Sequence, residues 1–188
     1  LFRVYHYAMS DSLPVEIVPY DPSWPQLFIS ASREILAAIG DYVAALEHIG
    51  STAVPGLAAK PVIDILVGVK NLEDAPAFLP PLFPLGYHYL PRYEAELPQR
   101  RYLERIRAGR HTHHVHIVTL ESDFFRTHLL FRDALRADPA LAADYAALKI
   151  RLAAQYRTDR SAYTDGKSAF IQSVLNNIPP KDTRKPKP

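Results

Sequence analysis

A chain of 188 residues, 48% hydrophobic and 11% aromatic, has the apolar content to pack one domain and is excluded from wholesale disorder. Lys and Arg number 22 against 20 Asp and Glu, a net charge of +2, which removes the case for a dedicated nucleic-acid binder while leaving room for local basic patches. Cysteine is absent, so disulfides and thiolate metal ligands are excluded, and no apolar run is long enough to span a membrane; the set fits a reducing, cytoplasmic setting.

The first residues lack a signal-peptide pattern. Met9, the one methionine, reads as a start preceded by an extraneous leader. Residues 1–13 and the basic, Pro-rich end 179–188 are expected to be flexible. Pro14–Tyr20 alternates and reads as a short strand or an extended entry. Asp21-Pro22-Ser23 is a turn and N-cap signal. Phe28, Ile35, Leu36 and Ile39 then recur at helical spacing, which predicts a helix over Trp24–Ile39 ended by Gly40. Val43–Ile49 predicts a strand. It leads into the loop Gly50-Ser51-Thr52 and a type II turn at Val54-Pro55-Gly56. Val62–Val69 predicts a second strand, buried on both faces. Leu72–Phe83 reads as a helix broken by Pro80-Pro81.

Tyr87–Leu90, Arg101–Ile106 and His113–Leu120 read as strands, with a turn at Arg107–Arg110. From Glu121 the period becomes helical, over Glu121–Ala137, Pro139–Tyr156 and Ser161–Asn177, with Asp165-Gly166 marking a turn near the start of the last. The predicted class is α+β: a mixed-sheet core over 14–120, packed against C-terminal helices over 121–178 of the same domain, with a cleft between them.

Asp64 interrupts the apolar run PVIDILV. A charge there is costly unless it is paired or faces a cleft. A buried Arg would explain it structurally; the cleft is the reading we adopt. Gly50-Ser51 offers backbone N–H groups and a hydroxyl, which suits phosphate oxygens. Lys60 either supplies charge to a phosphate or lays its stem on the surface. Alternation puts His114 and His116 on one strand face, and the core-like Val115 and Ile117 beside them direct that face to the cleft. Imidazoles beside one Asp suit zinc, manganese or nickel better than magnesium. Tyr163 and Lys167 stand one helical turn apart. The dehydrogenase reading of that pair fails, because no glycine-rich βαβ fingerprint accompanies it. Arg126, Arg132 and Lys149 either line the cleft or solvate helix faces, and Phe124, Phe125, Phe131 and Tyr145 read as helix packing.

The pattern hydrophobic-Gly-Ser, then about ten residues, then a strand Asp resembles the signature of the DNA polymerase β-type nucleotidyltransferase superfamily. That resemblance implies a Gly-Ser loop on a triphosphate and three strand acids holding two magnesium ions. The match is partial. Leu66 stands where the second acid is expected, and His114 and His116 stand where the later one is. The longer string HIGSTAVPGLAAKPVIDI resembles the GrpB-like family. The likeness runs from about Pro14 to Ile178 and includes YDPSWP, HHVHIV, FRDALR, YAALKIRLA and AYTDGKSAFI. It implies a nucleotidyltransferase-like core with a helical C-terminal part, and relatives fused behind a dephospho-CoA kinase domain.

The expected function is binding of a nucleotide or phosphorylated small molecule, extending to nucleotidyl transfer to an unspecified acceptor, with neither membrane nor nucleic acid as partner. Asp64 is the expected catalytic residue. Gly50, Ser51, Thr52, Lys60, Tyr163 and Lys167 are the expected ligand-binding set, Ser51 and Thr52 holding the β and γ phosphates. Asp64, His114 and His116 are the expected ligands of one divalent metal (magnesium, manganese or zinc). The alternatives are a non-catalytic binding or regulatory module linked to coenzyme A synthesis, which Leu66 favours, and a metal-dependent phosphohydrolase. Oligomeric state stays open.

Overall fold

The computed structural model describes residues 14–178, so the expected leader and tail lie outside the described residues. Asp21 accepts the Ser23 amide at 2.8 Å and turns the chain into α1 (Trp24–Ile39). Trp24, Ala31, Ile35 and Ile39 are the buried positions of this helix, so a single stripe faces inward; Ile35 and Ile39 belong to it as the spacing predicts, Phe28 is half-buried at its edge, and Leu36 is exposed. The five strands are β1 (Val43–Ile49), β2 (Ile63–Val69), β3 (Tyr87–Tyr89), β4 (Arg100–Arg107) and β5 (Arg110–Thr119). They form one sheet in the order β1-β2-β5-β4-β3. β2 and β5 run parallel and every other pair is antiparallel, so the sheet is mixed, as expected. The β4–β5 turn is the two-residue Ala108-Gly109, with φ of 48° and 73°. Positive φ at both positions matches the twist of the strands it joins.

Pro14–Tyr20 is the extended entry: its ladder contact among the described residues is the bridge Val18–Ala59, and Pro14 and Pro19 have no N–H to extend it. One expected element is reduced. Leu72–Phe83 contains just one α-turn, α2 (Ala75–Phe78), followed by a 3-10 stretch over Pro80–Leu85. The prolines there withdraw the donors a longer helix needs.

Period-2 alternation gives β2 and β5 two different buried faces. Ile63, Ile65, Val67, Val115 and Ile117 pack against Trp24, Ile35, Ile39, Phe78 and Leu82. Each such fully buried aliphatic contributes roughly 1.5–3 kcal/mol, which makes this layer the main anchor of the fold. On the opposite face Leu66 and Val118 join Ile49 beneath Phe125 of α3 (Asp123–Ala137). α4 (Pro139–Gln155), α5 (Arg160–Asp165) and α6 (Ser168–Asn177) complete the C-terminal part. Ser122 caps α3 through the Phe125 amide, and Asp138 caps α4 through the amides of Ala140 and Leu141. The helical stretch expected over Ser161–Asn177 is two helices, α5 and α6, separated at Gly166-Lys167, where the Asp165-Gly166 turn signal falls. A Cβ on Gly166 would lie 2.7 Å from Leu152 Cδ2, so the break lets α4 close onto this turn.

Candidate functional site

Strand register assembles the site. Across the sheet, Ile49 of β1 faces Asp64 of β2, Asp64 faces His114 of β5, and His114 faces Glu104 of β4. One step along lie Leu66 and His116. The even-numbered residues thus share the face turned toward the C-terminal helices, as alternation predicts. Between that face and the helices lies a cleft of about 370 Å³. All nine expected residues line it: Gly50, Ser51, Thr52, Lys60, Asp64, His114, His116, Tyr163 and Lys167.

Asp64 is paired with an imidazole and not with an arginine. Its Oδ1 lies 3.0 Å from His114 Nδ1, and its side chain keeps 27% exposure. Burial pushes its carboxyl up, while the His114 hydrogen bond, the His114 charge and the Lys60 charge together hold it below the usual range. Gly50 explains the spacing of the motif. It adopts φ 70° and ψ −174°, and a Cβ there would sit 2.3 Å from Asp64 Oδ2. The Gly-Ser loop therefore lies directly on the carboxylate, and only a residue without a side chain fits between them.

The hydroxyl of Thr52 is a correction. It donates to the Val62 carbonyl at 3.1 Å and accepts from His48 Nε2 at 3.0 Å. Burial pushes His48 down to about 4, so the ring is neutral and serves as this donor. The Thr52 hydroxyl is committed to the fold and cannot hold a phosphate. Ser51 is half-buried and lines the cleft beside Tyr145.

The opposite wall is cationic. Lys167 Nζ stands 4.5 Å from the Tyr163 ring centroid, and Lys60 Nζ stands 6.0 Å from it. The two cations thus stand against the same aromatic ring. Burial, then the Lys60 charge, pushes Lys167 down to about 8. Burial and the neighbouring Arg160 also lower Lys60. Lys149 is almost fully buried, donates to the Ala58 carbonyl, and is pushed down by burial and by Lys167 to about 7. Arg132 also lines the cleft, yet it is bound to Glu47 at 2.7 Å and to the His48 carbonyl at 3.0 Å. It is a tie between α3 and β1. Arg126 pairs with Asp123 in solvent, outside the cleft.

His116 is held neutral. Burial, and the Arg100 guanidinium 3.4 Å from its Nδ1, push it well below the ordinary value. His128 of α3 is a cleft residue that the sequence reading passes over. It stacks on Phe124 with centroids 3.9 Å apart and bonds the Phe124 carbonyl at 2.8 Å. The available signal was helical spacing, since 124, 128, 131 and 135 share one face. Among the described residues no three His, Asp or Glu side chains converge as metal ligands. The expected trio is split, with Asp64 on His114 and His116 beside a guanidinium. Leu66 is fully buried, so one carboxylate faces the cleft where two magnesium ions would need more. The donor set does not fit a pre-built two-ion centre.

The comparisons agree with this architecture. The family model described as GrpB protein matches residues 14–177. The chain is 36% identical over 177 residues to the protein YqkA of Bacillus subtilis, covering 94% of this chain and half the length of that relative. It superposes on a crystal structure of the conserved protein GrpB from Enterococcus faecalis with a TM-score of 0.78 and 35% identity, over 86% of this chain and 95% of that one. It is also 33% identical to a dephospho-CoA kinase of Mycolicibacterium paratuberculosis, a likeness that covers 86% of this chain and 45% of that protein. Family model and solved structure converge on one assignment: this chain belongs to the GrpB family.

Proposed function

We propose that the cleft binds a nucleotide or other phosphate ester, with its phosphates between the Gly50-Ser51 loop and the lysine wall. The observation that carries this reading is the charge imbalance. Lys60, Lys149 and Lys167 line a cavity of about 370 Å³ in which Asp64 is the lining carboxylate. Buried ammonium groups are costly without counter-charge, and their depressed proton affinity expresses that cost. Phosphate oxygens supply the missing charge. Ser51 offers a side-chain hydroxyl on the loop, and the loop backbone can approach closely because Gly50 lacks a Cβ. Phe131 and His128 provide flat surfaces for a base or other apolar group.

Asp64, oriented by His114, is the group suited to hold an acceptor hydroxyl or a divalent ion carried in by the phosphates. Magnesium or manganese, when bound this way, would neutralise phosphate charge; the protein offers it this one carboxylate. One observation favours a second reading, in which the cleft binds without transferring. Leu66 is sealed under Phe125, so the second acid of the superfamily pattern has no place in this packing. Because one relative is named a dephospho-CoA kinase, adenosine phosphates and coenzyme A precursors are the first probes to use.

The test is a thermal-shift panel of nucleotides and coenzyme A precursors, with and without magnesium, manganese or zinc, on the natural chain and on Lys167→Ala. A ligand at about 100 times its Kd adds ~2.7 kcal/mol of stability. A shift that Lys167→Ala abolishes supports the reading. A panel in which no phosphorylated compound shifts the natural chain refutes it. Release of pyrophosphate from a bound triphosphate separates transfer from simple binding.

A further inference from the structure

The cleft shares Lys60 and Val62 with a second cavity, of about 750 Å³, that the family resemblance and the relatives leave unassigned. Its lining cations come from four places in the chain: Lys60 before β2, Arg107 and Arg110 around the β4–β5 turn, Arg157 after α4, and Arg160 at the start of α5. Against these five, Glu16 is the carboxylate among the described lining residues, and it is bound to Arg110 at 3.3 Å. The whole chain carries a net charge of only +2, so this cavity concentrates positive charge that the rest of the molecule offsets.

Folding alone does not reward that arrangement. Arg107 and Arg110 are cross-strand partners, and like charges directly opposite one another destabilise a sheet. Arg157 is held beside them because its carbonyl accepts the Val15 amide at 2.8 Å. Its side chain and that of Arg107 are exposed and make no ion pair with any described carboxylate within 4.0 Å. Planar guanidinium groups converging on a common space match the oxygen geometry and charge of phosphate better than that of a single carboxylate. The volume is that of a small-ligand site, within the roughly 300–1,000 Å³ range, and the modest net charge of the chain argues against a long polynucleotide.

We propose that this cavity is a second anion site, for a small molecule bearing two or more linked phosphate groups, and that it shares Lys60 with the first cleft. The proposal does not depend on what the first cleft binds. A ligand seated here places one phosphate at Lys60, on the wall common to both cavities. The two sites are therefore coupled: an anion in one neutralises charge that the other would use.

Calorimetric titration of the full chain with inorganic pyrophosphate at low ionic strength tests this. The variants are Arg107→Gln/Arg157→Gln, its charge-retaining counterpart Arg107→Lys/Arg157→Lys, and Lys167→Ala for the first cleft. Arg107 and Arg157 are exposed, so an unchanged melting temperature certifies the fold. We expect a pyrophosphate-binding event that weakens tenfold or more in the Gln pair, largely recovers in the Lys pair, and persists in Lys167→Ala. If the first cleft does not take phosphates, this event remains and Lys167→Ala changes nothing, which separates the two readings. Pyrophosphate binding to the Gln pair with the affinity and stoichiometry of the natural chain overturns the proposal. So does a single-stranded oligonucleotide that binds this surface more tightly than pyrophosphate or tripolyphosphate.

Discussion

Replacing Gly50 by alanine tests the contact that joins the loop to the strand acid. Two costs follow from the structure. The backbone at φ 70° and ψ −174° lies in a region essentially reserved for glycine. A side chain there costs of order 1–3 kcal/mol. The new Cβ would also fall 2.3 Å from Asp64 Oδ2 and 3.1 Å from Asp64 Cβ. The carboxylate must swing away, and its bond to His114 is lost. A charge-assisted hydrogen bond of that kind is worth roughly 1.5–3 kcal/mol. The sum is about 2.5–6 kcal/mol, toward the lower end because Asp64 is partly exposed and has solvent to turn into. Urea denaturation at pH 7 measures it as a shift in midpoint at constant slope. The same substitution in an Asp64→Ala background isolates the steric part. There the carboxylate is gone, and only the backbone cost and a tight methyl contact remain, about 1–3 kcal/mol. A coupling energy of roughly 1.5–3 kcal/mol between the two positions is expected. An equal cost in both backgrounds, or a cost below about 1 kcal/mol for Gly50→Ala alone, refutes the reasoning.

Lys149 takes up its proton near pH 7 when folded and near 10.5 when exposed, so the unfolded chain binds the extra proton first and the fold loses stability as pH falls from about 10.5 to about 7. Lys149→Met removes this dependence: its stability relative to the natural chain should be more favourable at pH 7 than at pH 9.5, and an identical difference at both pH values contradicts the depressed proton affinity. Leu66→Asp would place an unpaired carboxylate under Phe125, and we expect a loss of roughly 3–5 kcal/mol by urea denaturation with no gain in magnesium affinity by calorimetry. Asp64→Asn should change stability by no more than about 1 kcal/mol, because no buried arginine depends on it. It should also tighten metal-free phosphate binding by removing an anion beside Lys60; weaker metal-free binding would show that the carboxylate itself holds the ligand.

Which of these residues sequence alone reveals depends on how far apart their determinants lie. The cleft face of β2 and β5 is legible because period 2 is local. Val115 and Ile117 declare the core side, and His114 and His116 must then take the other, whatever strand lies alongside. The Gly50–Asp64 contact is legible as spacing within one loop-strand unit. Thr52 is different. Its hydroxyl is occupied by the Val62 carbonyl and by His48, whose ring stacks on Phe28 of α1 with centroids 4.6 Å apart. Nothing near Thr52 in the chain announces that arrangement. The break between α5 and α6 is signalled locally by Asp165-Gly166, while the demand for a residue without a Cβ there comes from Leu152 on another helix. The basic cavity is assembled from residues as far apart as Lys60 and Arg157, and a net charge of +2 conceals it.

The two positions of β2 that decide between transfer and binding respond to opposite demands. Asp64 and Leu66 share a strand face, and the cleft ends between them. At Asp64 the neighbours are Gly50, which leaves room, and His114, which offers a hydrogen bond. At Leu66 they are Ile49, Val118 and Phe125, which exclude water. The boundary is set by where α3 seats its Phe125. Gly68 helps to set that seat, since a Cβ there would lie 2.9 Å from the Phe125 ring. A second acid on β2 would therefore require α3 to lift away from the sheet, and the Arg132 bonds to Glu47 and the His48 carbonyl resist that movement. Any transfer chemistry in this fold has to operate with Asp64 as the one acid of this strand, drawing its remaining positive charge from the lysine wall and from ions that arrive with the ligand.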